Sequence, residues 1–221
     1  MSEFTDAVVR ICGEELATFQ NGQLTESDLA VFQRVGDYWN KLAEQPDFRV
    51  WKGYNGRSDC ELDASGKVIE NKNQPWSAAF ISYIAAAAGA GANFHYGSSH
   101  SVYIVDALRE AKKPFSTAKF VARRHAEYTP KVGDLIACER RKDTDANFDT
   151  YIDFVKAGRF EAHCDFVVEI DQQKKNAITI GGNVGNSVSQ KAWPLNVAGH
   201  IGDHDPNSPV ASVICVIECL L

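Results

Sequence analysis

The residue whose type and position offer the clearest chemistry is Ser77, in the stretch PWSAAFISYIAAAAGAG. Pro75 favours a helix start and puts Ser77 at about the third helical position. There, backbone N–H groups without partners and the positive end of the helix dipole favour developing negative charge. A hydroxyl is a poor nucleophile at neutral pH, so acyl transfer through Ser77 needs a base, usually histidine, within hydrogen-bond reach. His163 opens the apolar run CDFVVEI. Strand alternation puts His163, Asp165, Val167 and Glu169 on one face and Cys164, Phe166 and Val168 on the other, so a base and a carboxylate share a face. Asn183 follows in GGNV, where it serves either to orient the imidazole or to fill a turn that needs positive φ.

The remaining polar candidates carry bland readings beside sharper ones. His100, in SSHSVYI, braces the Ser77 helix or contacts substrate, and Trp76 is a core anchor or an aromatic face at a cleft mouth. Asp134, in VGDLI, is a turn carboxylate. Cys164 points away from its neighbour His163 and reads as a core thiol. The cysteines at 12, 60, 138, 164, 215 and 219 form no C-x-x-C pair, which points to free thiols. A metal site would have to be assembled from His100, His163, Cys60 and Cys138, which have no ligand spacing, so neither a metal nor a cofactor is expected. No G-x-S-x-G elbow surrounds Ser77, which argues against an α/β-hydrolase esterase.

The elements that must position these groups change character along the chain. Phe4, Val8, Ile11, Leu16 and Phe19 mark an amphipathic helix over 3–20, stopped by Asn21 and Gly22. Thr25 with Asp28 suggests a capping box ahead of Leu29, Phe32, Val35, Tyr38, Trp39 and Leu42, which makes a helical hairpin of about residues 1–45. Residues 45–74 read as loop with a short strand. The helix after Pro75 is stopped by Gly89 and Gly91, and another runs from Ser98 or Ser99 to Lys113, before Pro114. Beyond Pro130 come short apolar runs at 135–138, 164–170, 177–182 and 210–221, with DTDANFDTYIDFVKAGRF as an inserted helix or loop. Helices first and strands afterwards predict an α+β fold, with helices on an antiparallel sheet or small barrel and the 221 residues as one domain.

Taken in order, PWSAAFISYI, PKVGDLIA, HCDFVVEI and ITIGGN resemble the layout of CHAP and NlpC-type domains, the papain-like amidases and peptidases of bacterial walls. The likeness covers roughly residues 28–200. It is closest to an uncharacterised bacterial branch with W-S-A-x-F at the helix start and a Ser-His motif before a further helix. The resemblance implies a papain-like fold, with Ser77 in the nucleophile's place, His163 as base and Asn183 as the orienting group, and with Asp165 competing for that last role. It also implies an amide hydrolase acting on peptidoglycan or a peptide. The departure is serine where those enzymes have cysteine, and the alternative reading is a silent peptide- or glycan-binding module that kept the cleft.

Composition narrows the partners. With 23 basic and 29 acidic side chains the formal net charge is −6, which lacks the positive field that holds a phosphate backbone. Nucleic acid is therefore not expected as a partner. The first twenty residues carry acids where a signal peptide carries lysine or arginine, and no apolar run is long enough to span a bilayer. The sequence thus predicts a cytoplasmic protein without a membrane span. A wall substrate would then require export by a specialised route.

Overall fold

The computed structural model describes residues 2–44, 61–62, 64, 68–70, 75–140, 148–150 and 160–221. Helix α1 (Glu3–Thr18) begins at Ser2, whose hydroxyl accepts the Thr5 N–H, and it buries Phe4, Val8, Ile11, Cys12 and Leu16. Gln20, Asn21 and Gly22 all take positive φ and turn the chain. Helix α2 (Leu29–Ala43) starts one residue after Asp28. The Asp28 carboxylate reaches back to the Thr25 N–H and hydroxyl, so the expected box is made from its acidic side while Asp28 takes the N-cap. Glu15 is buried between these helices. It accepts from Arg34 Nε at 3.0 Å and Tyr38 Oη at 2.6 Å, and thereby ties α1 to α2.

A short hairpin, β1 (Glu61–Leu62) with β2 (Val68–Glu70), precedes α3 (Ser77–Ala87). Most of the loop expected over 45–74, and with it Cys60, lies outside the described residues. Helix α4 (His100–Ala111) follows. The strands then come as β3 (Phe120–Arg123), β4 (Leu135–Glu139), β5 (Ala162–Asp171), β6 (Asn176–Val184), β7 (Ser187–Pro194), β8 (His204–Asp205) and β9 (Ser208–Cys219). The insert expected over 143–160 lies largely outside the described residues.

These seven strands make one antiparallel sheet in the order β3-β9-β4-β5-β6-β7, with β8 on β9, so the α+β expectation holds. Among the described residues β3 and β7 end the path without pairing to each other, so the sheet they form is open. Strands β3, β7 and β8 were absent from the apolar pattern. The larger core lies between the helices and one sheet face, with Tyr38, Trp76, Phe80, Ile104, Cys164 and Phe166 among its members. A second cluster, including Ile136, Val167, Trp193 and Val213, covers the other face.

Helix α3 packs against β5 and β6 as well as α1 and α2. Gly182 on β6 permits this, because a Cβ there would meet Phe80 Cβ at 2.5 Å and Trp76 Cζ3 at 2.7 Å. Among the described residues no helix is long and apolar enough to cross a membrane.

Candidate functional site

Ser77 is the first residue of α3, with Trp76 as N-cap, two positions earlier in the helix than its distance from Pro75 suggested. Proline here precedes the cap instead of occupying the first turn. The N–H groups that open a helix have no acceptor within it, so Ser77 sits at a concentration of positive partial charge. Trp76 is wholly buried. Its indole donates to Glu26 Oε2 at 2.5 Å and its ring stacks on Phe19, so it anchors the helix start and does not face a cleft.

The Ser77 hydroxyl lies 2.7 Å from Nε2 of His100, the first residue of α4. Nδ1 of the same ring meets the hydroxyl of Tyr103, one turn along α4 and on the same helix face. Ser77 is 3% exposed and His100 4%. Burial, followed by the neighbouring His163 and Arg140, holds the His100 imidazole well below the usual histidine range, so it is neutral at pH 7. Burial likewise pushes the Tyr103 phenol and the Cys164 thiol up.

His163 sits near the start of β5, its ring 5.2 Å from that of His100 in an edge-on arrangement. Its Nε2 is 2.7 Å from Asp165 Oδ1, at ion-pair distance but out of line for a hydrogen bond. Residues i and i+2 of the strand thus touch on one face. Gly181 on β6 makes room for this, since a Cβ there would fall 1.7 Å from Asp165 Oδ1 and 3.2 Å from His163 Nε2. The other ring nitrogen, Nδ1, accepts from Arg140 at 3.2 Å, which leaves the ring proton on Nε2 toward Asp165.

Asp165 is 2% exposed. Burial alone would raise its carboxyl, but His163 and Lys191 outweigh burial and hold it well below the usual carboxylate range. Lys191 on β7 bridges Asp165 Oδ2 at 3.3 Å and Asp205 Oδ2 at 2.5 Å. Burial would lower the ammonium, and the two carboxylates reverse that and raise it. This cation, inward-facing on an otherwise polar strand, is a site residue that the sequence reading missed.

A cleft of about 380 Å³ opens over this network, lined by residues including Arg140, His163, Asn183, Lys191, Asp205 and Ser208. Asn183 takes positive φ of 58° where the β6–β7 register slips, as a turn-forming asparagine does. No hydrogen bond joins Asn183 to His163; the carboxylate of Asp165 is the group beside that ring. The structure therefore brings Ser77 to His100, and His163 to Asp165, as two adjacent pairs whose imidazoles touch edge to face. Ser77 and His100 lie one ring in from the cleft that His163 lines. Among the described residues no group of three or more His, Cys, Asp or Glu side chains is placed to hold a metal ion.

Cys12, Cys138, Cys164 and Cys215 are buried free thiols, Cys219 is partly exposed, and burial raises all five, so none of them competes with Ser77 as a nucleophile. Asp134 accepts the Lys131 and Cys219 N–H groups and the Tyr128 hydroxyl, which is the local turn-forming part expected of it.

Residues 26–213 match a family described as an uncharacterized protein conserved in bacteria, DUF2272, and the chain belongs to that family. No curated protein and no solved structure matches the chain.

Proposed function

We propose that the protein hydrolyses an amide bond, in peptidoglycan or a peptide, with Ser77 as nucleophile and a neighbouring imidazole as base. We further propose a papain-like scaffold related to CHAP and NlpC-type amidases. The observation that carries the reading is the 2.7 Å contact between a hydroxyl at a helix N-terminus and an imidazole that burial keeps neutral. A neutral ring can take the serine proton, and the helix N-terminus favours the charge that develops on the attacked carbonyl. The buried His163–Asp165 pair, one ring away, adds a fixed carboxylate to the same site.

The step runs as an acyl transfer. Ser77 Oγ bonds to the carbonyl carbon, its proton passes to the imidazole, and the carbonyl pair moves onto oxygen. The C–N bond then breaks as the leaving nitrogen takes the proton back, and water releases the acyl group by the same route. His163 stands at the strand start where the resemblance puts its histidine. The orienting part goes to Asp165, which touches the ring, and substrate contact goes to Asn183, which lines the cleft. A wall substrate carries with it delivery of the chain to the wall.

The test is a serine-directed fluorophosphonate probe on the full chain, with mass spectrometry of the labelled peptide, beside release of new amino groups from purified peptidoglycan. Label on Ser77, and loss of turnover by roughly a thousandfold or more in Ser77→Ala, is the expected outcome. Label elsewhere, or none, refutes the hydrolase.

The burial of Ser77 behind a cleft it does not line favours a second reading, a peptide- or glycan-binding module. In that case Ser77→Ala leaves affinity for peptidoglycan fragments within about tenfold, or 1.4 kcal/mol. Turnover that appears only in Ser77→Cys would mark a disarmed cysteine enzyme.

A further inference from the structure

We propose that His100, and not the strand histidine His163, accepts the Ser77 proton, and that Tyr103 is the positioning residue that keeps His100 in the tautomer able to do so. The inference rests on the hydrolase reading above and concerns which of two adjacent imidazoles acts as base.

Neither nitrogen of His163 is a free acceptor. Nδ1 accepts from Arg140 and Nε2 faces Asp165, so neither is open to a serine proton without displacing a partner. His100 differs on both counts. Its Nε2 already lies at hydrogen-bond distance from the Ser77 hydroxyl, and its Nδ1 has only the Tyr103 hydroxyl to meet.

The direction of this chain follows from Tyr103, whose phenol oxygen can accept Nδ1–H. Nε2 is then bare and Ser77 is the donor. Run the other way, Nε2–H would point at Ser77 and the ring could not act as a base. Protonation on attack gives an imidazolium with Nδ1–H still on Tyr103. Burial, His163 and Arg140 oppose that charge, and the Asp165 carboxylate beyond His163 offsets part of their effect. His163 and Asp165 thus act on the charged state of His100 without exchanging a proton with serine.

The test is the rate of fluorophosphonate labelling of Ser77 in the full chain as a function of pH, with thermal unfolding run alongside. His100→Gln is expected to slow labelling at least a hundredfold, within the usual range for loss of a general base. His163→Gln is expected to slow it about tenfold, through the partner it takes from Asp165. Tyr103→Phe leaves Nδ1–H of the imidazolium without an acceptor, so its plateau rate falls about tenfold and the midpoint of its rate–pH profile moves to lower pH. A merely structural tyrosine would leave that midpoint unmoved.

If His100→Gln fails to fold, the Tyr103→Phe midpoint decides alone. Labelling abolished by His163→Gln but kept within tenfold in folded His100→Gln overturns the inference and leaves the hydrolase standing. A Tyr103→Phe profile that superimposes on the wild type also overturns it. Wild-type protein that takes no label at Ser77 overturns both.

Discussion

Replacing Lys191 by methionine tests the buried charge network, because one ammonium holds two carboxylates below the cleft. Its Nζ is 3.3 Å from Asp165 and 2.5 Å from Asp205, and all three side chains are less than a tenth exposed. With an effective dielectric of about 20, a pair at 3.3 Å attracts by about 5 kcal/mol, and the closer pair by more. Desolvation of each ion offsets several kcal/mol of this, so the network contributes far less than the Coulomb sum. Methionine keeps an apolar stem but loses the ammonium that sits 5.2 Å over the Trp193 ring, and it leaves two buried carboxylates facing each other. A loss of about 3–5 kcal/mol at pH 7 is expected, the usual cost of stranding a buried charge.

The pH dependence follows from the same groups. In the wild type Asp165 titrates below its unfolded value of about 3.8, so its stabilisation is present above that value and is lost as pH falls through the folded one. In Lys191→Met at least one carboxyl titrates above its unfolded value, so that variant gains stability as pH falls. The deficit must therefore shrink between pH 7 and pH 4. Urea unfolding of both proteins at the two pH values measures it. A deficit below 1 kcal/mol, or one that does not change with pH, refutes the picture of a desolvated network.

Two further substitutions probe neighbouring features. Burial raises the Asp134 carboxyl to about 6 against the bonds it accepts from Cys219, Lys131 and Tyr128. Its contribution is then fully present below about pH 3.8 and lost as pH rises through 6, about 3 kcal/mol by linkage. Asp134→Asn should remove that slope from urea unfolding between pH 4 and 7, and parallel curves for the two proteins would refute the shift. Gly181→Ala drives a methyl into the Asp165 carboxylate, where the Cβ would lie 1.7 Å from Oδ1. We expect a loss of about 1–3 kcal/mol by denaturant unfolding and shifted His163 ring resonances by NMR. Stability within 0.5 kcal/mol of wild type would show that the strand yields.

Most elements legible in the sequence were those whose burial is periodic, while α3, buried nearly all round, was legible from Pro75 and Gly89. Helices α1, α2 and α4 each turn one apolar stripe inward, and strands β4, β5, β6 and β9 are apolar runs. β7 was missed because its inward side carries Ser187 and Lys191 beside Trp193, so a buried cation broke the apolar alternation. β3 is a four-residue strand at the end of the sheet path, too short for a period to register. The contact of Ser77 with His100 was read only as bracing of the Ser77 helix, for a different reason. His100 and Tyr103 lie one turn apart in SSHSVYI, a local signal that one ring could have both nitrogens engaged, but no spacing reveals that α3 and α4 bring their first residues together.

That meeting of two helix N-termini bears on why the site has two imidazoles. His163, near the start of β5, lines the cleft beside Arg140. A base at the start of a buried helix stays neutral, because burial and the positive end of the helix both oppose a proton. Serine, unlike cysteine, is negligibly ionised at neutral pH and depends wholly on a base that is already deprotonated. On the proposed reading, a serine nucleophile thus requires the more shielded of the two rings. On the same proposed reading the cleft-lining ring, beside Asp165, supplies the carboxylate's field and a polar wall for substrate. On this reasoning the serine and the second histidine belong to one device. A cysteine at position 77, able to form its own thiolate, would depend less on His100 than the native serine does.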